Sequence, residues 1–112
     1  MESMNETLNE VQASISTLSK EYPNQIKAFM GFMGEMEKEG ALSVKTKELI
    51  SVALSVVAHC KWCIAFHVKN ALTAGATKDE VMEACFVATL MNGGPSLMYT
   101  QYVVKALEEF TR

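Results

Sequence analysis

The chain has 112 residues, enough for one domain around one core. Its hydrophobic content of 49% is ordinary for a globular protein, and a net charge of −3 offers no basic footprint for nucleic acid. The opening residues MESMNETLNE lack a basic segment followed by an apolar one, and the most apolar run, Val52 to Ala58, is too short to span a bilayer. The expectation is a cytoplasmic protein with no nucleic-acid or membrane partner. In that reducing setting three cysteines do not make a structural disulfide framework, and a close pair reads as metal-binding or catalytic.

Helical periodicity runs through nearly the whole sequence, and no segment alternates as a strand would. Leu8, Val11, Ile15 and Leu18 form a stripe on a first helix over roughly residues 3–20. Tyr22-Pro23 ends it, because proline disfavours helical backbone at the residue before it. A second helix carries Ile26, Phe29, Met30, Met33 and Met36 on one side and closes at Gly40, after the charged cluster Glu35 to Glu39. That stripe reads as core or subunit interface rather than as a cofactor box. Ser43 caps a third helix that reaches about Ala58. From Leu49 to Ala58 this helix is apolar on almost every side, which suggests a central place among the others.

A fourth helix starts near Cys60 and ends at Gly75, a favourable residue just past a helix end. Its inner face reads Cys60, Cys63, Ile64, His67, Val68, Ala71 and Leu72. Thr77 and Glu80 spell a capping box for a fifth helix ending near Met91. After the loop Asn92-Gly93-Gly94, Pro95 opens a sixth helix that packs through Tyr99, Tyr102, Val103, Ala106 and Phe110. Six helices with short connections make an all-α, single-domain bundle over residues 1–112.

The stretch His59 to His67, HCKWCIAFH, carries the chemistry. Cys60, Cys63 and His67 follow the spacing Cys-x-x-Cys-x-x-x-His, and helix positions three, four and seven apart share a face. Two thiols so placed can form a disulfide, and an imidazole one turn on can take or give the proton that thiol chemistry needs. The free N–H groups at the start of the fourth helix favour a thiolate. Small core cysteines and a satisfied core histidine are the plainer reading of each residue alone; packing gains nothing from an imidazole beside two thiols.

Glu48 lies twelve residues before Cys60, and along one continuous helix that offset turns it well away from the thiols. Taken alone it reads as a solvated carboxylate. It faces the thiols only if the chain bends between Ala58 and Cys60 and the third helix packs on the fourth. Ser51 and Ser55 continue its face as a polar line. Cys85 reads as a core thiol, His59 as exposed, and Trp62 as a shield for the site or part of a partner surface.

The segment Lys45 to Gly94 resembles the carboxymuconolactone decarboxylase family, and within it the alkyl hydroperoxidase D-like branch. The resemblance rests on Glu48, the Cys60/Cys63 pair, His67 and the Gly-Ala-Thr-x-x-Glu turn at Gly75 to Glu80. It implies an all-α protein that assembles as a trimer or hexamer and reduces peroxides through its dithiol. Cys63 would attack the peroxide, Cys60 would be the more exposed resolving thiol, and Glu48 and His67 would relay protons. One departure is Trp62, where the better-known hydroperoxidase has a second histidine. Decarboxylase members lack the cysteine pair.

The leading expectation is thus a thiol-dependent peroxidase or disulfide reductase with an antioxidant role, acting on a peroxide and recycled by a dithiol or thiol protein. It needs no cofactor and no metal. The rivals are a zinc-binding structural module built on Cys60, Cys63, His67 and either Cys85 or His59, and a cofactor-free lyase of the same family.

Overall fold

Most of the helices begin where the sequence supplies a partner for their first free N–H groups. The computed structural model describes residues 1–112. Ser3 Oγ accepts from the Glu6 N–H to start α1 (Met4–Glu21), and Ser43 Oγ accepts from the Thr46 N–H at 3.1 Å to start α3 (Val44–Val57). Thr77 and Glu80 cap α5 (Lys78–Asn92) reciprocally, at 3.1 and 2.9 Å. The helices α2 (Pro23–Met36) and α6 (Gly94–Phe110) have no such side-chain cap and carry proline in the first turn instead. The cap of α4 (Lys61–Thr73) is Cys60 itself. These six helices form the single all-α bundle that the periodicity predicts.

α2 stops at Met36, four residues short of Gly40. Glu35, Glu37 and Glu39 lie at the helix end that already carries partial negative charge, which disfavours extending the helix. The chain leaves the helix there, and Lys47 Nζ donates to the Lys38 carbonyl at 2.6 Å.

The core gathers Met4 of α1, Val52 and Val56 of α3, Ile64, Ala65, Val68 and Ala71 of α4, Val81 and Cys85 of α5, and Val103 and Ala106 of α6. α3 and α4 pack most closely on one another; α5 and α6 complete the core against them, and α1 covers α4. The expectation that α3 is enclosed on all sides needs correction. Ile50, Leu54 and Val57 face outward within one chain. α2 packs chiefly against α1, none of its residues is buried, and Phe29, Phe32 and Met36 stand exposed. At the chain's two ends Glu109 accepts from Ser3 Oγ at 2.8 Å and from the Met4 N–H at 2.7 Å, which fixes α1 onto α6. No helix is long and apolar enough to cross a membrane.

The chain turns from α3 into α4 over Ala58, His59 and Cys60. The Cys60 N–H reaches the Ser55 carbonyl at 3.2 Å and the His59 N–H reaches Val56 O at 3.1 Å, the paired bonds of a Schellman ending. That ending requires a residue with positive φ, and His59 supplies it at 56°, where glycine is usual. The His59 ring stacks on Tyr99, centroids 4.5 Å apart, which ties the strained residue to α6. A β-branched side chain tolerates positive φ badly. His59→Val should therefore lower stability by about 1–3 kcal/mol, read as a reduced midpoint in urea with an unchanged slope, whereas a midpoint equal to wild type would show that the turn is not strained.

Candidate active site

Cys60 precedes the first turn of α4, and its Sγ accepts the Cys63 N–H at 3.1 Å. A sulfur at an N-cap faces free amide groups and the positive end of the helix, the setting that favours thiolate over thiol. Cys60 and Cys63 are joined in a disulfide with Cα atoms 5.3 Å apart, an ordinary separation for such a bond. Both are half-buried. The structure thus pairs the two cysteines that the spacing brings together.

His67 sits one helical turn beyond Cys63, on the side that α3 covers. There its Nδ1 lies 2.8 Å from Glu48 Oε2. Glu48 is only 2% exposed, while the His67 side chain retains 22%. The solvated reading of Glu48 is therefore corrected: the reversal at His59 folds α3 back onto α4 and carries the carboxylate into the interior. An ionised carboxylate accepts the Nδ1–H, which leaves Nε2 as the free basic nitrogen of the ring. A buried carboxylate without a partner is costly, so the imidazole is what makes Glu48 tolerable at this position. No buried polar side-chain atom is left without a hydrogen bond.

The pair borders a cleft of about 380 Å³ between α2 and α3, walled by Phe29, Phe32, Met33, Met36 and Ile50. Neither cysteine lines that cleft; His67 does. Glu37 and Lys47 lie on its wall too, and the sequence reading passed over both. Burial raises the Glu37 carboxyl above the usual carboxylate range, the Glu48 charge raises it further, and His67 opposes both. The one sequence signal for Glu37 is an acid at a helix C-terminus, where the dipole disfavours it.

The remaining candidates lie elsewhere. Ser51 and Ser55 donate to Lys47 O at 2.9 Å and Ser51 O at 2.6 Å, so their hydroxyls serve their own helix. Cys85 is fully buried, and desolvation pushes its thiol up to about 11 despite a hydrogen bond with Thr100. A thiol so disfavoured as thiolate is chemically quiet. Trp62 lies on the surface, its Nε1 donating to Glu10 Oε1 at 3.2 Å beneath the Lys61 ammonium. His59 is exposed and stacks on Tyr99. With Cys60 and Cys63 joined as a disulfide, no three His, Cys, Asp or Glu side chains converge on a point suited to a metal ion.

The sequence matches the profile of the carboxymuconolactone decarboxylase family over residues 23–109, from the start of α2 almost to the end of α6. An uncharacterized protein of Cupriavidus necator is 36% identical over 103 residues, which are 92% of this chain and 88% of that one. Uncharacterized protein 4 in the cox locus of Paracoccus denitrificans is 39% identical over 82 residues, covering 73% and 74%. Among solved structures, the apo form of a carboxymuconolactone decarboxylase family protein from Legionella pneumophila superposes with a TM-score of 0.93, at 36% identity over 97% of both chains. A member from Thermotoga maritima, with a suggested involvement in antioxidative response, superposes with a TM-score of 0.83 at 27% identity, covering 93% of this chain and 89% of that one. With a profile match spanning five of its six helices, the chain belongs to the carboxymuconolactone decarboxylase family.

Proposed function

We propose that this protein is a thiol-dependent peroxidase, a hydroperoxidase-like oxidoreductase that cycles Cys60 and Cys63 between dithiol and disulfide. The observation that carries this reading is the Cys60–Cys63 disulfide at the start of α4 with the buried Glu48–His67 pair one turn beyond it. The suggested antioxidative role of the Thermotoga maritima relative supports it.

In the reduced protein His67 draws the proton from Cys63, and the thiolate attacks the terminal oxygen of a peroxide ROOH. The S–O bond forms as the O–O bond breaks. The proton held by the pair passes to the departing oxygen, giving ROH and a Cys63 sulfenic acid. Cys60 then attacks that sulfur, closing the disulfide and releasing water. An external dithiol attacks Cys60 by exchange, frees Cys63 as a thiolate beside His67, and leaves as its own disulfide. The cycle uses no cofactor. Glu48 holds the imidazole ring and stabilises the imidazolium that forms each time. A cytoplasmic setting belongs to the proposal, because reducing thiol pools there return the pair to the dithiol.

Cys63→Ser should abolish peroxide-dependent oxidation of a dithiol, and Cys60→Ser should trap a sulfenic acid or mixed disulfide at Cys63. Cys85→Ser should leave turnover nearly unchanged. Glu48→Gln, which keeps the size of the side chain, and His67→Phe should slow thiol oxidation near neutral pH by about 10²–10⁴-fold. Full activity in Cys63→Ser would remove the assignment, and a Glu48→Gln rate equal to wild type would remove the relay.

Self-assembly is the second part of the proposal. Leu90 and Met91 on α5 are each 80% exposed in one chain, and Phe32 on α2, Leu54 on α3 and Met98 on α6 are also exposed. These large apolar side chains on four helices are the surface that copies of the chain would cover. We therefore expect a homo-oligomer, a trimer or a hexamer, in which copies of the chain cover these faces. Light scattering at micromolar concentration should give the mass of that assembly; a monomer with full activity would contradict it.

A further inference from the structure

Two titratable groups on the cleft between α2 and α3, Lys47 and Glu37, have no task in the cycle above, and of these Glu37 alone is without a bonding partner for its charge. Glu37 occupies the C-cap of α2, its N–H bonded to Met33 O at 2.9 Å. A carboxylate there meets the negative end of the helix, so helix stability does not account for it. No cation holds it either. Lys38 pairs with Glu35 at 2.8 Å, Lys47 Nζ is directed to Lys38 O at 2.6 Å, and Glu37 takes part in none of the chain's five ion pairs. It is nevertheless half-buried on the wall shared with Glu48 and His67.

We propose that Glu37 is a positioning residue of the site: a second carboxylate that acts through the Glu48–His67 pair and exchanges its proton with water in the cleft. The groups facing this cleft are Glu37 from the end of α2, Lys47 and Glu48 from α3, and His67 from α4. The Lys47 ammonium is engaged by a carbonyl and the Ser51 hydroxyl donates to Lys47 O. Glu37 is therefore the uncommitted carboxylate on the cleft wall, beside a His67 ring that itself opens to the same space. Its carboxyl binds a proton more readily than an exposed glutamate, first through burial and then through the Glu48 charge, while His67 pulls the other way. As pH falls it takes up a proton earlier than a surface carboxylate does. The neutral acid can then hydrogen-bond to water beside the pair and return the proton as the pair empties.

The role in turnover rests on the peroxidase reading, but the coupling itself does not, and the two can be tested apart. Carboxyl-carbon NMR titration of the full chain reads Glu37 directly. Its midpoint should lie above those of the exposed glutamates, fall in Glu48→Gln and rise in His67→Phe, each by about half a pH unit or more. The pH profile of peroxide-dependent dithiol oxidation should lose its acid-side inflection in Glu37→Gln and keep it in Glu37→Asp. A Glu37 midpoint that ignores both neighbours overturns the proposal whatever the substrate. An unchanged pH profile in Glu37→Gln overturns the role in turnover. Coupled titration in a protein that oxidises no dithiol supports the coupling and contradicts only the peroxidase reading.

Discussion

Between Val57 and Lys61 the chain reverses over three residues, and the reversal hangs on His59 in the left-handed region. Without it α3 would run on, and Glu48 would stay on the far side of a longer helix. With it α4 returns along α3, and a carboxylate nineteen residues away in sequence meets the His67 ring. The same turn leaves Cys60 as the cap of the new helix, so one local conformation sets both the sulfur at the N-terminus and the buried pair beyond it. The stack of His59 on Tyr99 extends that dependence to α6. A backbone strain of about 1–3 kcal/mol is a substantial fraction of a small domain's stability. It persists because contacts from three helices hold it.

Much of this was legible in the sequence where the determining interactions are local. Ser43, Thr77 with Glu80 and Pro23 mark helix starts through contacts spanning a turn or less, and each lies at its observed place, while α6 begins at Gly94, one residue before Pro95. Cys60 and Cys63 sit three residues apart on one helix end, so their meeting needed only that the helix form. Glu48 was different. Its burial depends on a positive φ at a histidine, which no pattern in the chain announces, since glycine would be the usual sign. The family resemblance named Glu48 through its spacing; the turn supplies the physical cause. Glu37 escaped notice for a related reason. Its neighbours belong to α3 and α4, and an acid at a helix end looks like any solvated charge until the helices are packed.

The apolar sequence of α3 invited the idea of a helix enclosed within one chain, and the fold answers differently. Val52 and Val56 turn inward while Ile50, Leu54 and Val57 turn out. Periodicity reports that a face wants burial, and it does not say whether the covering side chains belong to the same copy. α2 poses the question more sharply, because it packs chiefly on α1 and forms the outer wall of the cleft. In the proposed assembly, a copy seated on α2 would border the cleft of Glu37, Glu48 and His67 as well. Assembly and water access to the pair would then share the same apolar side chains.

The central claim is that peroxide converts the Cys60/Cys63 dithiol to the disulfide while the buried pair moves the proton. Intact mass spectrometry of the fully reduced protein after one equivalent of hydroperoxide tests it most directly, with the cysteines mapped by alkylation. The account predicts loss of two hydrogens, a Cys60–Cys63 link and a free Cys85 thiol. Reduced cysteines that survive peroxide unchanged, or oxidation confined to Cys85, would contradict it.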